Sequence, residues 1–296
     1  MIKSICDMHI HTTCSDGELS PTELVEFMNN LGVKYFSVTD HDNVDFYLNK
    51  DALNLAKKYN MKYIVGCEFV SRVGVHPIEI LGYDLDIDKT KKYLDKHGVP
   101  ESKLRDIRKK YAVKIFKKLG SSITFSGAFD DPVDEIYYTI LANPKLKEII
   151  LKDNPNVLDN PSNFLRKGLN NPQSVFFISP RKFYPNYKKL IKIIHRKLNG
   201  KAILAHPYHY QEYMDEILEK VKKAKIDGIE CYHYTVDTME KNQYLLEYAQ
   251  KNKLLISGGS DFHNKTDIQF AKRRNVIEIP SKIFIDFPKN NNFING

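Results

Sequence analysis

The sequence has few cysteines and no long hydrophobic run, and each absence excludes a class of protein. Its four cysteines, Cys6, Cys14, Cys67 and Cys231, form no CxxC pair, and unpaired thiols of this kind favour a reducing cytoplasm. No stretch approaches the roughly 18 apolar residues of a transmembrane helix. The N-terminus also lacks the apolar segment and cleavage site of a signal peptide. We therefore expect a cytoplasmic protein with no membrane partner.

The charge and length of the chain are compatible with a soluble enzyme. Its 296 residues suffice for one large α/β domain, or for a barrel that carries a smaller inserted module. Lysine and arginine number 45 against 37 acidic residues, a formal net charge of +8. A surplus of this size either favours phosphorylated and other anionic partners or serves only to solvate the surface.

Short apolar runs alternate with helical patterns, which is typical of parallel strands joined by crossover helices. The predicted helices are 21–31, 51–59, 214–224 and 238–251. The predicted strands are 4–10, 35–39, 63–65, 78–83, 203–205, 229–232, 254–257 and 276–279, which are enough to close an α/β barrel. From 89 to 199 the sequence is lysine-rich, tyrosine-rich and irregular. We therefore predict a discontinuous barrel, 1–88 and 200–285, with a largely helical insertion, 89–199, and a loose tail, 286–296.

Histidines and carboxylates follow the predicted strands. The set comprises His9, His11, Asp16, Asp40, His41, Glu68, His206, Asp261 and His263. His9 and His11 can reach one metal because residues two apart on a strand share a face, and the carboxyl ends of barrel strands converge on one mouth. Nitrogen and oxygen donors suit Zn, Mn or Fe, and the set exceeds the four ligands of one tetrahedral ion. Two or three divalent ions are therefore predicted; the alternative is an unrelated capping or surface role at each position.

Seven motifs in the chain resemble those of the PHP (polymerase and histidinol phosphatase) family of phosphoesterases. They are DMHIHTTCSDGELSPTELV, VTDHDNV, GCEF, IEILGYDLD, ILAHP, IECYHY and SGGSDFH, and they cover about residues 4–90 and 200–265. The resemblance implies a distorted, TIM-like (β/α)7 barrel with up to three metals. It implies three ligand groups: His9, His11, Glu68 and Asp261; Glu68 and His206; and Asp16, His41 and His263.

One position departs from the family pattern, because Glu79 stands where a histidine is usual before the LGY motif. A carboxylate can also ligate a metal, so one interpretation is that Glu79 holds the second ion. The alternatives are that His76 takes this place, or that the second ion is lost.

Several further residues are candidates for catalysis or substrate binding. His233 is the preferred proton donor to the leaving group, and His209 is a second candidate beside the substrate. Asp40 either orients an imidazole or caps a helix. Arg72, Arg181 and Lys182 either bind phosphate or are ordinary surface charges. The GRPH-type motif that the resembled subgroup often carries in its insertion is not found.

The favoured function is hydrolysis of a small phosphomonoester or nucleotide-type phosphoester by a metal-activated hydroxide. One alternative is 3′–5′ exonuclease action on short oligonucleotides, which the positive charge and 18 tyrosines favour. Against it, no known nucleic-acid-binding pattern is present and the basic residues are dispersed along the chain. The other alternative is a catalytically silent metal-binding module. Nothing in the sequence indicates an oligomeric state.

Overall fold

The computed structural model describes residues 6–98, 101–129 and 131–265, together with residues 279 and 283. Its strands are β1 (Cys6–Ile10), β2 (Tyr35–Val38), β3 (Lys62–Tyr63), β4 (Gly66–Val73), β5 (His76–Tyr83), β6 (Lys201–Leu204), β7 (Gly228–Tyr232) and β8 (Leu255–Gly258). Its α-helices are α1 (Pro21–Asn30), α2 (Lys50–Lys58), α3 (Ile87–His97), α4 (Glu101–Lys118), α5 (Pro132–Leu141), α6 (Pro144–Asp153), α7 (Pro161–Asn163), α8 (Tyr187–Lys197), α9 (Met214–Lys223) and α10 (Met239–Asn252). Shorter 3₁₀ helices cover Asp45–Leu48, Pro180–Lys182 and Pro207–Tyr213, and a π-helical turn, Phe164–Leu169, continues α7.

The helices begin where capping residues satisfy their free N–H groups. At α1, the Ser20 hydroxyl accepts from the Glu23 backbone N–H, and the Glu23 carboxylate accepts from the Ser20 N–H at 2.9 Å. Pro21 occupies the first helical position, where no hydrogen-bond donor is needed. All four helices predicted from the sequence are confirmed, each with its limits shifted by no more than one residue.

The described strands form a mixed α/β fold with two sheets. One sheet has the parallel order β1-β2-β3, and the other has the order β4-β5-β6-β7-β8. Isolated bridges join Ile10 to Phe262 and His41 to Glu68, but no closed barrel is formed by the described strands. The prediction of an α/β fold is confirmed. The prediction that all strands are parallel is wrong, because β5 runs antiparallel to β6.

The main difference from the predicted strands lies between residues 66 and 83. We expected Glu68 to end the third predicted strand and Arg72 to lie in the loop after it, but both belong to β4, which neighbours β5 in the sheet. Gly74, between these two strands, has a φ of +63°, a conformation that glycine adopts without strain. The predicted strand 276–279, apart from residue 279, and the predicted tail 286–296 lie outside the described residues.

The described residues divide into two compact units. We call those within Met1–Ser71, Ile78–Gly98 and Pro185–Gly296 the main unit, and those within Arg72–Pro77 and Val99–Tyr184 the inserted unit. Each has its own apolar core, which includes Met8, Leu81 and Ile203 in the main unit and Phe116 and Phe164 in the inserted unit. The predicted division into a barrel and an insertion at residues 89–199 stays a prediction. No helix of the described residues has the length and apolarity needed to cross a bilayer.

Candidate metal centre

A first group of four side chains meets at the end of β1. His9 lies on β1 and His11 directly follows it, so both rings point to one face, with centroids 5.2 Å apart. The His9 and His11 Nε2 atoms lie 3.1 and 3.3 Å from Glu68 Oε2. They lie 3.4 and 3.3 Å from Asp261 Oδ1. These four residues, predicted from distant parts of the sequence, therefore surround one point.

The chain after β8 is held tightly against β1, which brings Asp261 to this point. Its backbone N–H donates to the carbonyl of His9 at 2.7 Å. Gly259 comes so close to His9 that an added Cβ would lie 2.2 Å from the His9 Cβ. The backbone of Asp261 has a φ of +55°, which is rare for a residue other than glycine and common at functional sites.

A second group lies on the other side of His11. Asp16 Oδ2 is 3.7 Å from His41 Nε2, and Asp16 Oδ1 is 3.4 Å from His263 Nε2. The rings of His11 and His263 stack with their centroids 4.1 Å apart. The Asp16 side chain is 51% exposed, so this group opens to solvent, whereas the first group is buried.

A third group contains Glu79 and shares Glu68 with the first. His206 Nε2 lies 3.2 Å from both Glu68 Oε1 and Glu79 Oε2. His41 Nδ1 lies 3.4 Å from Glu68 Oε2. Glu79 is thus the residue of β5 that contacts His206, and its backbone N–H donates to the Tyr210 hydroxyl at 3.0 Å.

The donor atoms fit divalent cations. In each of three sets, the donor atoms lie within 4.8 Å of one another. The sets are the first group, the second group, and His41 with Glu68 and Glu79. Bonds of about 2.0–2.2 Å to a common ion place neighbouring ligand atoms roughly 3.0–3.4 Å apart. In addition, both ring nitrogens of His11 and the Nδ1 atom of His41 are buried without a hydrogen-bond partner among the described residues. Such nitrogens are costly unless a cation uses them, so we conclude that this centre binds divalent metal.

The electrostatics of the centre also favour positive charge. Burial opposes ionisation of Glu68, yet the imidazoles of His9 and His41 hold the pKa of this carboxylate well below its ordinary value. Burial opposes charging of His11 and His206 as well, but the neighbouring carboxylates raise the pKa of each imidazole to about 10. Protons and divalent cations therefore compete for the same nitrogens, and metal binding must release protons.

Glu230, which sequence reasoning missed, forms hydrogen bonds to two of the candidate ligands, His9 and His206. Its side chain is completely buried on β7, with Oε1 3.1 Å from His9 Nδ1. Its Oε2 accepts from the backbone N–H of His206 at 2.8 Å. A carboxylate at Nδ1 keeps the proton there and leaves Nε2 free to ligate. The available signal was a lone acidic residue inside the apolar strand of the motif IECYHY.

Asp40 fastens the loop that follows β1. It accepts hydrogen bonds from the Thr12 N–H at 2.7 Å, the Thr12 hydroxyl at 2.6 Å and the Ser15 hydroxyl at 2.6 Å. We expected Asp40 either to orient an imidazole or to cap a helix, and neither contact is among these three. Since the loop carries His11 and Asp16, Asp40 instead positions ligands of two groups at once.

His233 and His209 both lie beside the third group. His233 Nε2 is 3.4 Å from Asp261 Oδ2, and its Nδ1 is 2.9 Å from the Thr235 hydroxyl oxygen. The His209 ring lies 4.3 Å from the His206 ring, and His209 Nε2 is 3.1 Å from the Tyr234 hydroxyl oxygen. Burial lowers the pKa of His233, which reduces its protonated fraction near neutral pH but makes the protonated ring the stronger acid.

The three basic residues predicted to bind phosphate belong to the inserted unit. The Arg72 guanidinium donates to the backbone carbonyls of Tyr184 and Gly74, each at 3.1 Å. Arg181 is exposed, and the side chain of Lys182 lies outside the described ones. Their predicted contact with substrate therefore stays a prediction.

Comparison with known proteins places these features in a family context. The sequence profile of the PHP domain matches residues 7–279. A 5′-3′ exoribonuclease of Haemophilus influenzae is 29% identical over 266 residues, which covers 87% of this chain and 89% of that relative. A 3′,5′-nucleoside bisphosphate phosphatase of Chromobacterium violaceum is 24% identical, with coverage of 87% and 86%.

A solved structure confirms the fold-level similarity. It is an amidohydrolase from Chromobacterium violaceum with bound sulfate and no metal. It superposes with a TM-score of 0.63 at 21% identity, and the match covers 89% of each chain. At this identity the likeness concerns the fold alone.

Proposed function

Since this chain belongs to the PHP domain family, we propose that its metal centre hydrolyses phosphoester bonds of nucleotides, including those at the ends of short RNA chains. The chain is a metal-dependent phosphoesterase. The observation that carries the proposal is Glu68, which two groups of ligands share and which would hold neighbouring cations close together. Adjacent cations can stabilise both the attacking and the leaving oxygen of a phosphoester.

The relatives support a nucleotide substrate over other phosphomonoesters, because their names refer to a nucleoside bisphosphate and to RNA. Our exonuclease alternative assumed the 3′–5′ direction, whereas the Haemophilus influenzae relative is named for the 5′–3′ direction. We adopt the direction of the relative for this chain. The catalytically silent alternative is disfavoured by three groups of potential ligands, each with at least three members.

Three divalent cations are proposed, one for each group. The first group has two imidazoles and two carboxylates, and the second has three imidazoles and one carboxylate, donor sets that suit Zn, Mn or Fe. The third position is lined by Glu68 and Glu79 as well as by imidazole nitrogen. A larger share of carboxylate oxygen favours Mn at this position.

The chain's own residues have distinct tasks in the proposed reaction. Bound cations would polarise the phosphoryl oxygens and supply a nucleophilic hydroxide at neutral pH. Glu230 keeps the His9 ring oriented, and Asp40 holds the loop with His11 and Asp16 in place. His233, next to Asp261, is proposed to donate a proton to the leaving oxygen.

The proposed function is tested by turnover of three substrates with the Mn-loaded protein. We expect hydrolysis of adenosine 3′,5′-bisphosphate and stepwise release of mononucleotides from the 5′ end of a short RNA. Hydrolysis of p-nitrophenyl phosphate should also occur, but with a lower kcat/KM, because it lacks the nucleoside. Bound metal without turnover of any of the three would support the silent-module alternative instead.

Glu79 gives a separate test of the third position. We expect Glu79→Ala to lower the metal content by about one ion per chain, because it removes a carboxylate oxygen 3.2 Å from His206 Nε2. Glu79→His, which restores the usual residue of the family, should retain the ion and shift its preference from Mn toward Zn. Metal content and competition between the two metals are measured by mass spectrometry of the dialysed protein. Unchanged content in Glu79→Ala would show that Glu79 is not a required ligand.

Two finer expectations complete the proposal. The bridges between Ile10 and Phe262 and between His41 and Glu68 support a distorted (β/α)7 barrel, since the first links β1 to the segment after β8 and the second links the segment after β2 to β4. The four cysteines are all unpaired thiols, and three of them are buried. This supports a reducing compartment such as the cytoplasm.

A further inference from the structure

The positive charge of the chain is concentrated in the inserted unit. This unit contains 16 lysines and arginines against 9 aspartates and glutamates, whereas the rest of the chain contains 29 against 28. The net charge is therefore +7 in the inserted unit and +1 elsewhere. Basic residues are spread over both units, and the surplus in the inserted unit arises because it has few acidic residues. A localised surplus of this kind attracts polyanions.

Helix α4 arranges part of this charge along one face. Four lysines recur at intervals of seven, four and three residues, the spacing of a single helical face. We call them the lysine face: Lys103, Lys110, Lys114 and Lys117, all exposed. Ala112 and Phe116, at 2% and 0% exposure, lie on the opposite side of α4 in the apolar core. The lysine face is about 21 Å long at 1.5 Å per residue, enough to follow several nucleotides of an extended strand.

The lysine face is available for an external anion. No ion pair connects its four ammonium groups to a carboxylate of the described residues, whereas Arg108 on the same helix pairs with Asp131 at 3.1 Å. Lys145 of α6 extends the charge, because its Nζ lies beside Gly120 just after the end of α4. Lys114 Nζ lies 5.5 Å from the centroid of the Tyr111 ring, which leaves its charge without a counterion. Charges with no counterion among the described residues are the ones that an external polyanion can neutralise with release of counterions.

An exposed pair of aromatic rings belongs to the same unit. Phe129 and Tyr138, which we call the aromatic pair, are 40% and 49% exposed. Their rings stack with centroids 5.2 Å apart and an angle of 22° between planes. Exposed aromatic rings in a basic unit are typical of proteins that bind single-stranded nucleic acid.

We infer that the inserted unit binds a single-stranded polynucleotide, with phosphates on the lysine face and bases on the aromatic pair. The inference rests on the proposed function, which includes short RNA among the substrates, and it assigns the surface that binds the strand. Anionic membranes would also be attracted by lysines, but exposed stacked rings favour nucleobases. Because every base has an aromatic face, binding should depend little on sequence.

The experiment compares two triple variants of the full-length, Mn-loaded protein. Lys110→Ala/Lys114→Ala/Lys117→Ala removes three charges from the lysine face. The matched control, Lys57→Ala/Lys223→Ala/Lys251→Ala, removes three charges from exposed helical positions of the main unit. The probe is a short fluorescent RNA with phosphorothioate linkages, which resists hydrolysis, and binding is followed by fluorescence anisotropy at several salt concentrations. Single-stranded DNA of the same sequence and phosphatidylserine vesicles are tested alongside.

We expect the lysine-face variant to bind RNA about tenfold more weakly, and its slope of log affinity against log salt to fall by about 2. The control should stay within about twofold of the wild type. Phe129→Ala/Tyr138→Ala should weaken binding several-fold with no change in the salt slope, because no charge is removed. Single-stranded DNA should lose affinity in parallel with RNA.

Equal losses in the two triple variants would overturn the inference, because net charge alone would then explain binding. It would also be overturned if the vesicles bound in a lysine-face-dependent manner and RNA did not. All variants should hydrolyse p-nitrophenyl phosphate at the wild-type rate. Failure of the proposed function is a different result, namely no phosphoester hydrolysis by the wild type while lysine-face-dependent RNA binding persists.

Discussion

Glu68→Gln is expected to reduce hydrolysis of adenosine 3′,5′-bisphosphate by about 10³-fold or more. Glu68 contacts four imidazoles, those of His9, His11, His41 and His206, and is the residue that two ligand groups share. The amide preserves the shape of the side chain but lacks the negative charge that holds cations. Loss of metal assistance removes several kcal/mol of transition-state stabilisation, and each 1.4 kcal/mol or so corresponds to tenfold in rate.

The measurement is kcat/KM together with metal content, and circular dichroism verifies that the variant is folded. Glu26→Ala, at an exposed position of α1, is the control and should retain full activity and metal. A Glu68→Gln protein with full metal content and activity within tenfold of the wild type would contradict a central role for this carboxylate.

His233→Ala is expected to have an effect that depends on the leaving group. With adenosine 3′,5′-bisphosphate the leaving oxygen is an alkoxide, which needs a proton, and we expect kcat to fall by about 10²–10⁴-fold. With p-nitrophenyl phosphate the leaving group is a stable anion, so the loss should stay below about tenfold. Both expectations depend on the position of His233. Its side chain is buried, and its Nε2 atom lies 3.4 Å from the Asp261 carboxylate.

The comparison of the two substrates separates proton donation from positioning. If His233 only supported Asp261, both substrates should lose activity to the same extent. His97→Ala, at an exposed position of α3, serves as the control and should leave both rates unchanged. Equal losses with both substrates in His233→Ala would therefore contradict the acid role.

The candidate metal ligands could be recognised in the sequence because their positions follow a local rule. His9 and His11 are two apart at the end of an apolar run, and Asp261 and His263 repeat this spacing after β8. Strand ends can be recognised from alternating patterns, and the carboxyl ends of parallel strands meet at one edge. The structure brings together all nine residues predicted as ligands.

Features that depend on strand pairing could not be predicted in the same way. Ser71 and Arg72 interrupt the apolar pattern of β4, so the part of this strand after Glu68 was predicted to be a loop. The antiparallel direction of β5 against β6 was not predicted, because periodicity carries no information on direction. Glu230 was missed because burial of a single carboxylate depends on partners that are distant in the chain.

The lysine face was missed for a different reason. Its intervals of seven, four and three residues are meaningful only if one helix covers the whole segment, and the apolar residues of α4 show too little one-sided periodicity to indicate its limits. The difference in net charge between the two units was missed as well. That contrast needs the boundary between them, which composition alone did not locate.

The close contact between β1 and the segment after β8 has a consequence for biosynthesis. His9 leaves the ribosome some 250 residues before Asp261, whose N–H donates to the His9 carbonyl. A pairing across so much intervening chain is slow to form. Until translation reaches the last ligands, the early histidines stay without their partners. The complete metal centre would therefore form only after the ligand-bearing segments have been synthesised and folded.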